Sequence, residues 1–299
     1  MQRIFITGGT GFFGKSILDY RLRHPELMGD AEVTILSRNP QKFACEFPKL
    51  ANQRGISFIA GDVRDFTVAD KFDTVIHAAT AAVTTLSDDE MYSTIVDGTR
   101  HVLEVAKACG AQRLLFTSSG AVYGPQTEAV DETAAPNPNT AYGRGKLAAE
   151  KMCVDSGIPT KIARCYAFVG PYLNRKIHFA IGNFIQNCLD NEPIVIKGDG
   201  TPLRSYLYAD DLVEWLFAIL EHGESGRPYN VGSPEGLSIR ELAETVRAAL
   251  GTKNEIQILG TPTNAPASVY VPNVDRAMTE LGLRVRVPLD EAVRRSAAG

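Results

Sequence analysis

Short runs of consecutive apolar, often β-branched residues alternate along the first half of the chain with stretches whose apolar residues recur every three or four positions. The runs Arg3–Thr7, Val33–Leu36, Ile56–Ala60, Thr74–His77, Leu114–Thr117 and Thr160–Arg164 read as strands buried on both faces. The intervening stretches Phe12–Arg23, Pro40–Ala51, Asp88–Cys109 and Ala141–Ser156 read as helices, and Gly110 and Gly157 stand where helix-ending glycines belong. Regular strand–helix alternation predicts an α/β fold: a Rossmann-type, doubly wound parallel sheet with right-handed crossovers. After Arg164 the rhythm loosens. Gly170-Pro171, Gly198-Asp199-Gly200 and Gly232-Ser233-Pro234 are turn signals. Ser238–Leu250 reads as a helix, with Ser238 and Glu241 placed for a capping box and Gly251 to end it. The expected division is a sheet domain over residues 1–167, with returning segments near 203–233 (Arg204–Leu220 and Tyr229–Val231), and a smaller domain over most of 168–299.

Composition narrows the function classes. Apolar residues make up 44% and charged residues 22% of the 299, which suits a packed core and not disorder. No run of 18 apolar residues occurs, so no membrane partner is expected. The net charge of −4 gives no basic surface for nucleic acid. The N-terminal MQRIFITGG has no signal-peptide pattern. The cysteines Cys45, Cys109, Cys153, Cys165 and Cys188 are odd in number and widely spaced, so neither a disulfide framework nor a metal site is expected, and a cytoplasmic location is the default.

The segment Thr7-Gly8-Gly9-Thr10-Gly11-Phe12-Phe13-Gly14 follows the first strand and opens the first helix. It satisfies G-x-G-x-x-G at positions 9, 11 and 14, and G-x-x-G-x-x-G at 8, 11 and 14. Glycines there allow a tight turn and let backbone N–H groups approach a pyrophosphate at the helix N-terminus, so a dinucleotide is the expected ligand. NAD binding usually places a carboxylate at the end of the second strand. This strand ends Leu36-Ser37-Arg38 instead, a hydroxyl and a guanidinium suited to a 2′-phosphate, so NADP is favoured over NAD. Asp62, in Gly61-Asp62-Val63 after the third strand, is placed to accept from the adenine amino group.

Tyr142 and Lys146 stand four apart in a helical stretch and share a face. A tyrosine is a poor acid–base group near neutral pH unless a nearby ammonium and an oxidised nicotinamide stabilise its phenolate. The hydroxyls of Thr117-Ser118-Ser119, at the end of the preceding strand, supply the polar group needed beside it. Together these residues resemble the extended short-chain dehydrogenase/reductases, in their NAD-dependent epimerase/dehydratase branch. The resemblance covers nearly the whole chain and rests on TGGTGFFG (7–14), GDV (61–63), HAA (77–79), TSSGAVYG (117–124), YGRGK (142–146) and GDGTPLRSYLYADDL (198–212). It implies a coenzyme domain followed by a nucleotide-sugar domain, and a homodimer. It implies Ser119, Tyr142 and Lys146 as the catalytic residues. The implied coenzyme contacts are Gly8, Thr10, Gly11, Phe12, Phe13, Gly14, Ser37, Arg38, Asp62, Val63, Ala78, Ala79, Thr117, Tyr142 and Lys146. The implied substrate contacts are Thr80, Ser119 and Tyr142, with Arg204 and Asn183 on the diphosphate.

The departures from that pattern select among reactions. Gly120 and Ala121 stand where dehydratases carry an Asp-Glu pair, which speaks against 4,6-dehydration. Ile95 replaces an active-site Asn, Ala167 replaces the Asn found in UDP-galactose 4-epimerases, and Ala265 stands where a second phosphate-binding Arg is expected. The leading expectation is an NADP-linked reductase of a 4-keto nucleotide sugar. A nucleotide-sugar 4-epimerase is the alternative, and a non-catalytic dinucleotide sensor a third reading. Among the remaining residues, His77 is expected to support the coenzyme loop and His178 to pack or face solvent. Trp215 reads as helix core, and Asp210-Asp211 as a helix cap.

Overall fold

The computed structural model describes residues 2–80, 86–175, 179–261 and 266–299. In chain order its strands are β1 (Arg3–Thr7), β2 (Glu32–Ser37), β3 (Ile56–Ala60), β4 (Thr74–His77), β5 (Arg113–Ser119), β6 (Thr160–Cys165), β7 (Phe168–Val169), β8 (Ile194–Ile196), β9 (Leu203–Arg204), β10 (Leu207–Tyr208), β11 (Pro228–Val231), β12 (Leu237–Ser238), β13 (Ile256–Ile258) and β14 (Val269–Tyr270). Its helices are α1 (Phe12–Arg23), α2 (Pro40–Glu46), α3 (Pro48–Ala51), α4 (Asp88–Ala108), α5 (Ala141–Asp155), α6 (Ala180–Leu189), α7 (Ala209–His222), α8 (Ile239–Ala249), α9 (Asp275–Leu281) and α10 (Leu289–Ala297).

Two compact units result. The first holds Met1–Gly124, Ala135–Cys165 and Leu216–Tyr229; the second holds Pro125–Ala134, Tyr166–Trp215 and Asn230–Gly299. Residues 125–134 therefore go with the second unit, and of the segments near 203–233 it is 216–229 that joins the first.

The main sheet has seven strands in the order β11-β6-β5-β4-β1-β2-β3. The six strands read from the sequence are all in it, and β1 to β6 pair in parallel. The order reverses between β1 and β4, the point where open α/β sheets form a ligand crevice. Burial on both faces explains the unbroken apolar runs: Ile4, Phe5, Ile6, Val33, Ile35, Val75, Ile76, Leu114 and Leu115 are all buried. Each such side chain stabilises the fold by about 1.5–3 kcal/mol relative to exposure. The aromatic part of this core is Phe5, with Phe66 and Phe72 at 5.3 and 5.1 Å.

Two expectations are corrected here. Pro40–Ala51 is not one helix. It breaks at Phe47, whose φ of −130° and ψ of 58° lie outside the helical region. Pro48 follows directly, and a proline ring disfavours helical geometry in the residue before it. Second, Arg204 does not return to the main sheet. It lies in β9, at the centre of a small sheet ordered β12-β9-β14; among the described residues, β11 is the one later strand that joins the seven.

The second unit closes around Ile181, Phe184 and Ile185 of α6, Leu242 and Val246 of α8, and Val293 of α10. Helix α8 carries the full capping box, Ser238 Oγ accepting from Glu241 N and the Glu241 carboxylate from Ser238 N. Trp215 is buried and donates its indole N–H to Arg284 O at 3.1 Å. Asp211 does not cap α7: its Oδ2 accepts the backbone N–H groups of Arg286 and Val287, each at 3.1 Å, and so fastens a distant loop.

Candidate active site

The glycine segment joins β1 to α1 at the sheet's switch point, and close packing explains its composition. Gly8 has a φ of +75°, and a Cβ there would lie 2.5 Å from the carbonyl carbon of Ala78, at the end of β4. A Cβ on Gly14 would meet the Gly9 backbone at 2.1 Å. The turn is closed by Gly11 N donating to Gly8 O at 3.0 Å, and Ala78 N donates to Thr7 O at 3.1 Å. Helix α1 begins at Phe12 with no acidic residue in its first turn and no side-chain cap from Gly11. The first turn of that helix thus carries no carboxylate of its own, which fits a pyrophosphate placed there. Thr10, Phe12 and Phe13 are half-buried at this edge, as are Ala78, Ala79 and Thr80 after β4.

At the neighbouring ends of β2 and β3 lie the residues expected to meet the adenosine. Ser37 is buried, and its Oγ accepts from Asn39 N at 3.2 Å within the turn. Arg38 is exposed. Asp62 Oδ1 accepts from Arg64 Nε at 2.7 Å, and that bond holds the carboxyl below the usual carboxylate range, aided by the charge of Arg38. Val63 packs against Gly98 of α4.

His77 is buried between two hydroxyls, Nδ1 at 2.7 Å from Thr7 Oγ1 and Nε2 at 3.0 Å from Thr99 Oγ1. Burial, reinforced by the Lys146 ammonium, pushes its pKa down to about 3. It stays neutral and serves as a brace: the Thr7 hydroxyl that it holds accepts from Ala79 N at 3.3 Å.

Helix α5 carries the tyrosine and the lysine. Thr140 caps it, accepting from Gly143 N at 3.1 Å. Ser119, the last residue of β5, is hydrogen-bonded to Tyr142, and its Oγ accepts from Ala121 N at 3.2 Å. Lys146 is buried. Its Nζ donates to Thr80 Oγ1 at 2.7 Å and to Thr117 O at 2.8 Å. Thr117 Oγ1 in turn donates to His77 O at 3.3 Å. Ser119, Tyr142, Lys146, Thr117 and Thr80 thus form one connected cluster in the first unit. Ile95, on α4, lies 3.3 Å from the position of a Gly145 Cβ, so an apolar surface backs the Tyr142–Lys146 turn.

The electrostatics differ from expectation in one respect. Burial pushes the Tyr142 phenol up to about 12, with the Ser119 hydrogen bond opposing the rise. A lowered value was expected from the ammonium, but Lys146 Nζ lies 5.9 Å from the tyrosine ring centre and is turned onto Thr80 and Thr117. Desolvation therefore dominates in the free protein. The same burial lowers Lys146 to about 8, opposed by Cys165, Cys153 and Glu150.

The substrate residues expected from the later motifs lie in the second unit. Arg204, half-buried in β9, donates from Nη1 to Leu203 O at 2.7 Å and to Ser268 O at 3.1 Å. Among the described residues it makes no ion pair, so a salt-bridge role is not what holds it. Asn183 is half-buried on α6. Ala265 and His178 lie outside the described residues.

Residues 4–232 match the NAD dependent epimerase/dehydratase family. The chain belongs to that family. Among its curated members, UDP-glucuronic acid decarboxylase 6 of Arabidopsis thaliana is 30% identical over 308 residues, 98% of this chain and 87% of the relative. In fold, the family resemblance extends to UDP-glucuronic acid 4-epimerase from Bacillus cereus, solved with UDP-glucuronic acid and NAD: TM-score 0.85 at 23% identity, covering 99% of this chain and 98% of that one. A UDP-galactose 4-epimerase structure aligns with a TM-score of 0.80 at 25% identity, over 99% and 97% of the two chains. The NADP preference drawn from Ser37 and Arg38 finds no support in these comparisons, since the Bacillus cereus structure holds NAD.

Sequence reasoning missed Cys165, Glu150 and Arg164. Cys165 pairs in register with Ser119, which brings its buried thiol close to Tyr142 and Lys146. Only the register of β6 against β5 reveals this, and register is invisible in a strand read by itself.

Proposed function

We propose that the protein acts at C4 of a nucleoside-diphosphate sugar as a 4-epimerase, with NAD retained through the cycle. The observation that carries this reading is the Ser119–Tyr142–Lys146 cluster beside a glycine loop built for a dinucleotide, with Gly120 and Ala121 next to it in place of acidic residues. Such a site has a group to move the proton of a sugar hydroxyl and no second acid to expel water. The solved epimerases support epimerisation over the net reduction first expected from Ser37 and Arg38.

Bound NAD would supply reversible hydride exchange with C4. Tyr142 takes the O4 proton as C4 is oxidised and returns it when the ketone is reduced on the other face. Ser119 holds the same oxygen by hydrogen bonding. Lys146, charged below about pH 8, orients the ribose next to the reacting carbon. The tyrosine needs help to ionise, because its own surroundings favour the phenol; a positively charged nicotinamide ring is the remaining source.

The decarboxylase relatives favour a second outcome from the same first step. Oxidation at C4 of a uronic acid gives a β-keto acid, which can lose carbon dioxide. Incubation with UDP-glucuronic acid and UDP-glucose, read by NMR, separates the readings. The C4 epimer supports the proposal, a pentose with released carbon dioxide supports the second, and no conversion of any nucleotide sugar in the presence of NAD overturns both.

Two further results are expected. Arg204→Ala should raise KM for a nucleotide sugar with a smaller change in kcat and unchanged NAD affinity, because a guanidinium matching a diphosphate binds ground and transition states alike. Unchanged KM with a lowered melting temperature would leave Arg204 only a structural part. Arg38→Ala should leave NADH binding intact and weaken NADPH by about 10–100-fold, the worth of one charged hydrogen bond. Equal loss for both coenzymes would show that Arg38 does not read the 2′-phosphate.

A further inference from the structure

Behind the Ser119–Tyr142–Lys146 cluster lies a second, buried set of polar groups that the proposed chemistry does not use. Glu150 sits one helical turn beyond Lys146 on α5. Its carboxylate forms a two-pronged pair with Arg164 of β6, Oε1 to Nε at 3.0 Å and Oε2 to Nη2 at 2.8 Å. Both side chains are 6% exposed. Glu150 Oε1 also accepts from Ser118 Oγ at 2.5 Å. The Arg164 guanidinium lies 4.8 Å from the centre of the Tyr123 ring.

A buried ion pair is a weak device for stability, because desolvation cancels most of its attraction. Its location gives it another use. Thr117, Ser118 and Ser119 are consecutive, and each is tied to α5: Thr117 O by Lys146, Ser118 by Glu150, Ser119 by Tyr142. The middle tie is the one that carries a charge of its own next to the lysine. We propose that Glu150 is a positioning residue, held by Arg164, that seats the end of β5 on α5 and sets a negative charge one turn from the Lys146 ammonium. The inference rests on the reading of Lys146 as the ammonium that serves coenzyme and tyrosine.

The surrounding groups make the effect measurable. Cys153 on α5 and Cys165 on β6 face the lysine, and burial pushes both thiols up to about 12. His77 on β4 is neutral down to about 3, and burial keeps the Tyr142 phenol protonated to about 12. Arg164 stays charged throughout: burial opposes its charge, but the hydrogen bond and the charge of Glu150, together with Tyr123, outweigh it. Lys151 and Asp155, at the rim of a groove of about 340 Å³ that also borders Glu150 and Arg164, are exposed. Near pH 8, therefore, Lys146 is the buried member of this set that changes charge.

The test is an NMR titration of the free, full-length protein carrying 13Cε-labelled lysine, with the Lys146 signal assigned by its loss in Lys146→Met. Removing the Glu150 charge should disfavour the ammonium, so the Lys146 midpoint should fall below about 8 in Glu150→Gln combined with Arg164→Met. The double change removes both members of the ion pair, so neither Glu150 nor Arg164 is left as a buried charge without its partner and the variant should fold. Glu150→Asp keeps the charge and should keep the midpoint. A midpoint unmoved in the double variant, or displaced as far in Glu150→Asp, would overturn the proposal and leave Glu150 a packing residue. No sugar enters this measurement. A failed titration leaves the nucleotide-sugar reading intact, and an absence of turnover leaves the titration result intact.

Discussion

Tyr142→Phe should lower turnover of a nucleotide sugar by about 10²–10⁴, the usual worth of a positioned acid–base group. The change removes one oxygen and leaves the ring, so packing of α5 against α4 should persist, as should NAD binding at the glycine loop on the other side of the switch point. Among the described residues, the neighbouring groups do not replace the tyrosine. His77 is locked between Thr7 and Thr99 and is neutral. Ser119 alone has a hydroxyl too weakly acidic for the task, and Gly120 and Ala121 offer no side-chain acid. The pH dependence carries a further sign. In the free protein the phenol loses its proton only near pH 12, so a catalytic limb well below that value would locate the missing stabilisation in the bound coenzyme. Turnover of the Phe variant within a few-fold of the wild type would remove Tyr142 from the chemistry.

Lys146→Met should have two effects of opposite sense. NAD affinity should fall by about 10–100-fold, since one charged hydrogen bond to the ribose is worth about 1.5–3 kcal/mol. Stability should rise at pH 7. The lysine's pKa is about 8 in the fold against an ordinary value of 10.5. Between those values the unfolded chain holds a proton that the folded chain has released, so stability of the wild type climbs as pH rises from 8 towards 10.5. Below pH 8 both states are protonated, and the fold bears the full cost of the buried ammonium, on the order of 3 kcal/mol. Methionine removes that cost but leaves Thr117 O and Thr80 without their donor, which returns about 1 kcal/mol for each. The net gain at pH 7 is about 1 kcal/mol. Thermal melting of both proteins across this range should show the advantage of the variant shrinking above pH 8. A melting temperature that falls at pH 7 would mean that the hydrogen bonds of Lys146 outweigh its desolvation.

How much of this could be read beforehand depends on how far apart in the chain the interacting groups lie. The seven-stranded sheet was readable because strands buried on both faces are unbroken apolar runs, and because glycine and tyrosine–lysine motifs are contiguous. Of the second unit, the capped helix after Ser238 was readable, but the short strands were not. Strands such as Leu203–Arg204 and Val269–Tyr270 are two residues long, too short for any periodicity to show. Pro48 was visible, yet the apolar spacing across it masked the break between α2 and α3. Within the site, Thr80 meets Lys146 across 66 residues, and Glu150 meets Arg164 only because β6 pairs with β5 in one particular register. The raised pKa of Tyr142 was unreadable for a related reason: it comes first from burial of the phenol, which depends on how α5 packs in the fold.

The meeting of Gly8 with the backbone of Ala78 separates two kinds of evolutionary freedom. Where β1 and β4 part, main chain touches main chain, so the width of the crevice is fixed without reference to side-chain identity. Ser37 and Arg38 stand on the far rim of that crevice, on a different strand from Thr117, Ser119 and the residues of α5. Under the proposed function, exchanges at the rim would retune which phosphorylated form of the dinucleotide is admitted without touching the residues of the tyrosine–lysine cluster.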